Sequence, residues 1–293
     1  MIIESHAHYN IKSFQGTFRY LAMEQDRYAI RESDLPQLLD ELSEAGIPYS
    51  IEPGITLESN REVLDFCGRY PGRIFPAVGV HPTRCFAEKW ADRSQLEGLS
   101  RSEGVIAIGE TGLDYHHKRE DQHRLTQHRW FLYQLNLARK RKLPLVLHIR
   151  QADRDALRVL RLHPARKLGG VVHCFNGSWD IARQYLDLGF CIGIGGAALQ
   201  KEERAGQLWE AIRNMPLDRI VLETDAPYVL PDCKEELQNA SIRKVRNTSL
   251  ILPEVARKIA ELKGITPQEV EKVTAQNVIR VFHLPIDPEE LRA

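Results

Sequence analysis

The sequence predicts an α/β fold, a (β/α)8 barrel of the TIM type with two extra C-terminal helices. Three observations carry this expectation. Short apolar runs rich in β-branched residues recur along the chain, and helical patterns lie between them. The runs are nearly continuous in hydrophobicity, as parallel strands buried on both faces must be. There are eight of them in 293 residues, a number that closes a barrel. A doubly wound open sheet is the alternative.

In order, the expected strands are Met1–Ser5, Ile47–Glu52, Ile74–Val80, Val105–Gly109, Leu143–Leu147, Gly170–Val172, Phe190–Ile194 and Ile220–Leu222. Helices are expected over Asp34–Ala45, Arg61–Tyr70, Glu120–Lys142, Asp153–Leu162, Ile181–Leu188 and Lys201–Asn214. Beyond the last strand one helix spans roughly Leu250 to Leu262. A second begins with Thr266 as N-cap, Pro267 at the first helical position and Glu269 at the third, a capping box with a proline start. Tyr9 to Ser33 is polar and aromatic, without clear periodicity, and is read as an excursion over one barrel end. No repeat, low-complexity linker or composition break divides the chain, so residues 1–293 are expected to form one domain.

Composition excludes several functions. No apolar run approaches the ~20 residues that cross a bilayer, and MIIESHAHYN lacks the basic and apolar regions of a signal peptide. Five scattered cysteines without a CxxC pair argue for reduced thiols and a cytoplasmic setting. Forty basic residues balance forty acidic ones, whereas proteins that grip long duplex DNA carry a basic excess. A nucleic-acid substrate is therefore expected to be held locally.

The chemistry concentrates at strand ends. His6 and His8 alternate after the first strand, Glu110 follows the fourth, His148 the fifth, His173 the sixth, and Asp225 lies just past the eighth. In a (β/α)8 barrel these ends converge on the active-site face. Each residue taken singly reads as a cap or turn residue; together they make a metal centre. Imidazole with carboxylate suits Zn2+ and neighbouring divalent cations. Six ligands exceed the three that one catalytic zinc takes, so two ions sharing a carboxylate fit better. His81, after the third strand, is a candidate substrate contact. Arg150, two residues past His148, has a guanidinium suited to phosphate, and Arg246 with Asn247 adds further donors. The run Arg139-Lys140-Arg141-Lys142 ends a helix and complements its dipole. Gly193, Gly195 and Gly196 lack the order of a dinucleotide-binding motif.

The motifs Ser5-His6-Ala7-His8, Gly79-Val80-His81-Pro82, Gly109-Glu110-Thr111-Gly112-Leu113-Asp114, Leu147-His148-Ile149-Arg150, His173-Cys174-Phe175 and Glu223-Thr224-Asp225-Ala226-Pro227-Tyr228 occur in this order, followed by Arg246-Asn247 and Leu252-Pro253. From about residue 1 to 283 the chain resembles TatD-type metal-dependent deoxyribonucleases of the amidohydrolase superfamily. The resemblance implies that His6, His8 and Asp225 hold one metal, His148 and His173 a second, and that Glu110 bridges them. It places His81, Arg150, Arg246 and Asn247 near substrate phosphates. It also implies Mg2+, Mn2+ or Zn2+ as cofactor and DNA trimmed from the 3′ end. Glu4, Asn10, Thr111, Gln151 and His116-His117 depart from the family's usual residues.

The expected reaction is hydrolysis by metal-activated water, with Asp225 as general base. DNA ends or single-stranded DNA are the expected partners. A metal-dependent carbonyl hydrolase and a non-catalytic scaffold are the alternatives.

Overall fold

Where the sequence offers uninterrupted apolar, β-branched runs, the computed structural model has strands buried on both faces. It describes residues 1–24, 27–117, 121–233, 237 and 244–287. The first half of the chain gives β1 (Ile3–Glu4), β2 (Phe18–Glu24), β3 (Arg27–Ser33), α1 (Leu35–Glu44), β4 (Tyr49–Pro53), α2 (Leu57–Arg69), β5 (Ile74–Val78), α3 (Arg93–Leu99), β6 (Ala107–Asp114) and α4 (Asp121–Arg141). There follow β7 (Leu145–Arg150), α5 (Asp153–Leu162), β8 (Gly170–Val172), α6 (Trp179–Asp187), β9 (Phe190–Ile194), α7 (Glu202–Asn214), β10 (Ile220–Leu222), β11 (Val245–Arg246), α8 (Leu252–Lys263) and α9 (Pro267–Phe282).

Eight strands pair in the order β1-β4-β5-β6-β7-β8-β9-β10, every neighbouring pair parallel. Backbone bonds join the last strand to the first: Ser5 N–H donates to the Leu222 carbonyl at 3.0 Å, and Asp225 N–H to the His6 carbonyl at 2.9 Å. The sheet thus comes close to a closed cylinder, the expected TIM-type barrel.

Side chains from alternate positions fill its lumen. Ile3, Ile51, Phe75, Ala107, Val146, Val171, Cys191 and Val221 form one buried cluster with Val278 and Phe282 of α9. Asn277 of α9 donates to the carbonyls of Leu217 and Ile220, at the start of β10. Helix α9 therefore closes the N-terminal end of the barrel and leaves the C-terminal end for the site. Caps fix several helix starts. Asp34 accepts from Gln37 N–H at 3.1 Å, Thr56 and Ser59 form a reciprocal capping box, and Thr266 accepts from Glu269 N–H at 3.2 Å.

Several elements differ from the sequence expectation: β7 runs on to Arg150 instead of ending at Leu147, so that His148 lies within it, and α2 starts at Leu57 instead of Arg61. Strand β6 runs on to Asp114 instead of ending at Gly109, with its register against β7 shifting between Ile108 and Thr111. That bulge lets a polar, glycine-containing stretch stay in the sheet. The short α3 carries one fully buried side chain, Leu96, too little to show a period. The segment from Tyr9 to Ser33 contains the β2–β3 hairpin, which pairs with β11 and reaches α1 through a Tyr20–Glu41 hydrogen bond of 2.6 Å. Residue 120, the expected start of the fourth helix, lies outside the described residues.

Candidate metal centre

All six expected ligands meet at the C-terminal end of the barrel, around one carboxylate. Glu110 Oε2 faces His6 Nε2 at 3.6 Å and His8 Nε2 at 3.8 Å. Asp225 Oδ1 lies 3.6 Å from His6 Nε2 and 3.5 Å from His8 Nε2, and the two nitrogens are 3.3 Å apart. The other oxygen, Glu110 Oε1, faces His173 Nε2 at 2.7 Å, His148 Nδ1 at 2.9 Å and His81 Nε2 at 3.2 Å. One carboxylate thus divides two sets of nitrogen donors.

The donor geometry fits metal. Four ligands at ~2.0–2.1 Å from a tetrahedral ion stand about 3.3–3.4 Å from one another. The measured edges of the His6, His8, Asp225 and Glu110 set are 3.3 to 3.8 Å, close to that figure. Neutral nitrogens and carboxylate oxygens suit Zn2+ and other divalent first-row cations.

Electrostatics says the same. Burial disfavours the Glu110 carboxylate, yet His81, His173 and His148 hold it ionised, well below the usual range. Burial also opposes charge on His8, but Asp225 and Glu110 outweigh it and raise its pKa to about 9. His148 likewise rises to about 9 against burial, through Asp114 and Glu110. His6 goes the other way: burial, and then His173, lower it to about 4.

Buried carboxylates beneath the ligands position them. Asp114 Oδ2 bonds His148 Nε2 at 3.1 Å, which turns Nδ1 towards Glu110. Glu4 accepts from His6 N–H, from Thr224 N–H and Oγ1, and from Ser249 Oγ, so it ties the loop bearing His6 to the loop bearing Asp225. Glu52 accepts from the N–H groups of Tyr9 and Asn10. Glu223 accepts from Cys174 N–H, next to His173; a Cβ on Gly193 would come within 2.4 Å of its other oxygen, so only glycine leaves it room. Among the described residues, His6 and His173 have no such carboxylate on Nδ1. Their rings stack at 3.9 Å and orient each other. Asp225 has a left-handed backbone (φ 55°), which Asp tolerates better than most residues. Nothing in the sequence marked Asp114, Glu4 or Glu52 as partners of the ligands, although Glu4 stood out as a departure from the family's residues. Asp114 was within reach, since it ends the Gly109–Asp114 motif.

The expected substrate contacts separate. His81 joins the second donor set; Thr83 N–H donates to its Nδ1, so its ring proton sits on Nε2 and points at Glu110. Arg150 ends β7, exposed, on the same strand as His148. Arg246 directs Nε to the Ser13 carbonyl and Nη1 to that of Lys244. Asn247 is fully buried and donates to the Thr224 and Val229 carbonyls. That places Asn247 under the Asp225 loop rather than at its surface.

The sequence family described as "TatD related DNase" matches residues 3–283. The chain belongs to this family. A TatD-family relative from Escherichia coli K12, described as the uncharacterized metal-dependent hydrolase YcfH, is 32% identical over 257 residues, 88% of this chain and 91% of its own. The "3′-5′ ssDNA/RNA exonuclease TatD" of Edwardsiella piscicida is 34% identical over 253 residues, 86% of this chain and 94% of its own. Among solved structures, the TatD homolog YJJV of Escherichia coli K12 superposes with a TM-score of 0.79 at 26% identity, covering 97% of this chain and 98% of that one. The chain is a metal-dependent hydrolase of the TatD family on an α/β barrel.

Proposed function

We propose that this hydrolase cleaves phosphodiester bonds, releasing nucleotides from the 3′ end of single-stranded DNA and, as the relatives' names add, RNA. The observation that carries the reading is Glu110, with nitrogen donors on both oxygens, at the same barrel end as the exposed guanidinium of Arg150, which has no ion pair among the described residues. Relatives named as 3′-5′ ssDNA/RNA exonucleases at 32–34% identity support the substrate and the direction. His6, His8 and Asp225 would hold one divalent cation and His148 with His173 a second, Glu110 serving both; bound there, such cations acidify water and stabilise charge on the attacking and leaving oxygens.

The protein's own groups do the rest. Asp225, kept ionised by His8 and its neighbours, accepts the proton of the attacking water. Arg150 binds the phosphate bearing the scissile bond. His81 donates from Nε2 to Glu110 and fixes that carboxylate between the two donor sets. Tyr228 stands 55% exposed, edge-on to His8 at 6.3 Å, and offers its face to the terminal base. Residues 1–293 act as one unit in this reading, supported by α9 packing into the lumen. A cytoplasmic setting is supported by the free thiols of Cys67, Cys85, Cys174 and Cys191.

The test compares a 3′-labelled single strand, its blunt duplex and a closed circular plasmid, with protein stripped by chelator and reloaded with Mg2+, Mn2+ or Zn2+. Metal-dependent release of mononucleotides, first from the single strand, is expected. Rapid nicking of the circle shows an endonuclease instead. Turnover of an amide or lactone with no cleavage of any strand shows a carbonyl hydrolase.

A further inference from the structure

A groove of about 650 Å3 opens just past the C-terminal ends of β6 and β7, lined by Tyr115, Gln151, Asp155, Arg154, Arg158 and Arg161 among others. Tyr115 follows Asp114, the partner of His148, and the groove's α5 wall begins three residues past Arg150. The helix is amphipathic: Ala156, Leu157 and Leu160 face the core, which turns Arg154, Arg158 and Arg161 outward. In a β/α unit the helix returns antiparallel to its strand, so Arg154 lies nearest the barrel mouth and Arg161 farthest from it.

The charges of this stripe are unspent. Arg150, Arg154 and Arg158 are exposed, and their guanidinium groups have no hydrogen bond or ion pair among the described residues. Among the described residues, the Arg161 guanidinium bonds the neutral Gln184 and no acid. The one acid of the groove, Asp155, accepts from Tyr115 Oη at 2.8 Å and lies 3.9 Å from His128. In a chain whose net charge is zero, a row of unpaired arginines leading to the mouth marks a binding surface for a polyanion.

We propose that this groove is a track for the phosphate backbone of a single-stranded nucleic acid, 5′ of the nucleotide held at the metal centre. The inference rests on the nuclease reading and adds where the uncut strand lies. Arg154 to Arg161 spans about 10 Å of helix, and a stretched strand advances by more than the ~3.4 Å per nucleotide of a stacked one. The row therefore engages two or three phosphates. A rigid duplex could not follow it down the barrel's flank with its 3′ end still in the mouth.

The test uses full-length, metal-loaded protein and a fluorescent dodecanucleotide whose 3′-terminal linkage is non-hydrolysable, as DNA and as RNA, with a dinucleotide for comparison. Wild-type protein is expected to bind both longer strands more tightly than the dinucleotide. The double variant Arg154→Glu/Arg158→Glu is expected to raise the dodecanucleotide Kd by roughly tenfold or more, because two phosphate contacts turn repulsive. It should also make log Kd against log salt shallower by about 1.4, at ~0.7 per phosphate. Neutral methylphosphonates at the second and third linkages from the 3′ end should weaken wild-type binding and change the variant's little. Arg213→Glu/Lys272→Glu, an equal charge change on other faces, is expected to leave the length preference in place. An unchanged dodecanucleotide Kd in the α5 variant, while wild-type protein still cleaves the strand, overturns the track alone. So does an equal loss in the control. Wild-type protein that neither binds nor cleaves any strand overturns the nuclease reading and the track with it.

Discussion

Glu110 faces His6 and His8 with one oxygen and His148 and His173 with the other, so a single atom change tests both donor sets. Glu110→Gln keeps the shape and removes the charge. Activity should fall by at least ~10²-fold, more than the ~10–100-fold that partners behind metal ligands command. Circular dichroism should stay native and the metal content drop. Asp114 acts one bond further out: Asp114→Asn should weaken metal affinity by about 10–100-fold. His117→Ala, which removes only the exposed partner of Asp114, should change it little. His163→Ala and His283→Ala, outside the donor sets, should leave activity near wild type. Loading should also depend on pH. In the metal-free protein His8 and His148 titrate near 9, so at neutral pH both carry protons that a cation must displace. Affinity then rises from pH 6 towards 9, and calorimetry in buffers of different ionisation enthalpy should count the protons released. At this scale the ligands were legible because strand ends in a barrel converge. The partners of the carboxylates behind them were not, because burial and partner choice depend on contacts as distant in sequence as that of Glu4 with Ser249.

The elements carry the site through their joints. Glu4 ends β1, and its carboxyl receives four donors from the loops after β1 and β10 and from Ser249. Glu4→Ala strands those donors in the interior, at ~1–3 kcal/mol each. A loss of more than about 3 kcal/mol is expected, seen as a roughly 10 °C fall in Tm. Glu4→Gln, which keeps an acceptor, should recover most of it. Parallel strands were readable from sequence because full burial leaves a continuous apolar run; β8, β9 and β10 fall where that run predicted them. The bulge in β6 was not readable. Gly109-Glu110 resembles a strand end, and only the register against β7 shows the chain continuing to Asp114. The β2–β3 hairpin escaped for a related reason: its buried residues, Phe18, Tyr20, Leu21 and Ala22, do not alternate strictly along β2, and its partners, β11 and the turn at Ser249–Ile251, come from more than 200 residues further along the chain.

At the scale of the molecule, the two ends of the barrel divide the labour. The plugged end holds the fold: Phe282→Ala, which empties the space between α9 and the lumen strands, should cost about 3–5 kcal/mol in denaturant unfolding while the KM of the folded fraction holds. The open end carries the chemistry. Because side chains fill the lumen and α9 shuts the far side, the barrel offers no tunnel. A strand cannot thread through it, so on the nuclease reading a freed nucleotide leaves by the mouth at which the strand's own end enters. Each cut on the nuclease reading must then be followed by departure of the product before the next residue can descend. On that reading the enzyme advances as a valve does, one discharge per stroke. Added mononucleotide should therefore compete with the 3′ end, raising KM in proportion to its concentration and leaving kcat untouched.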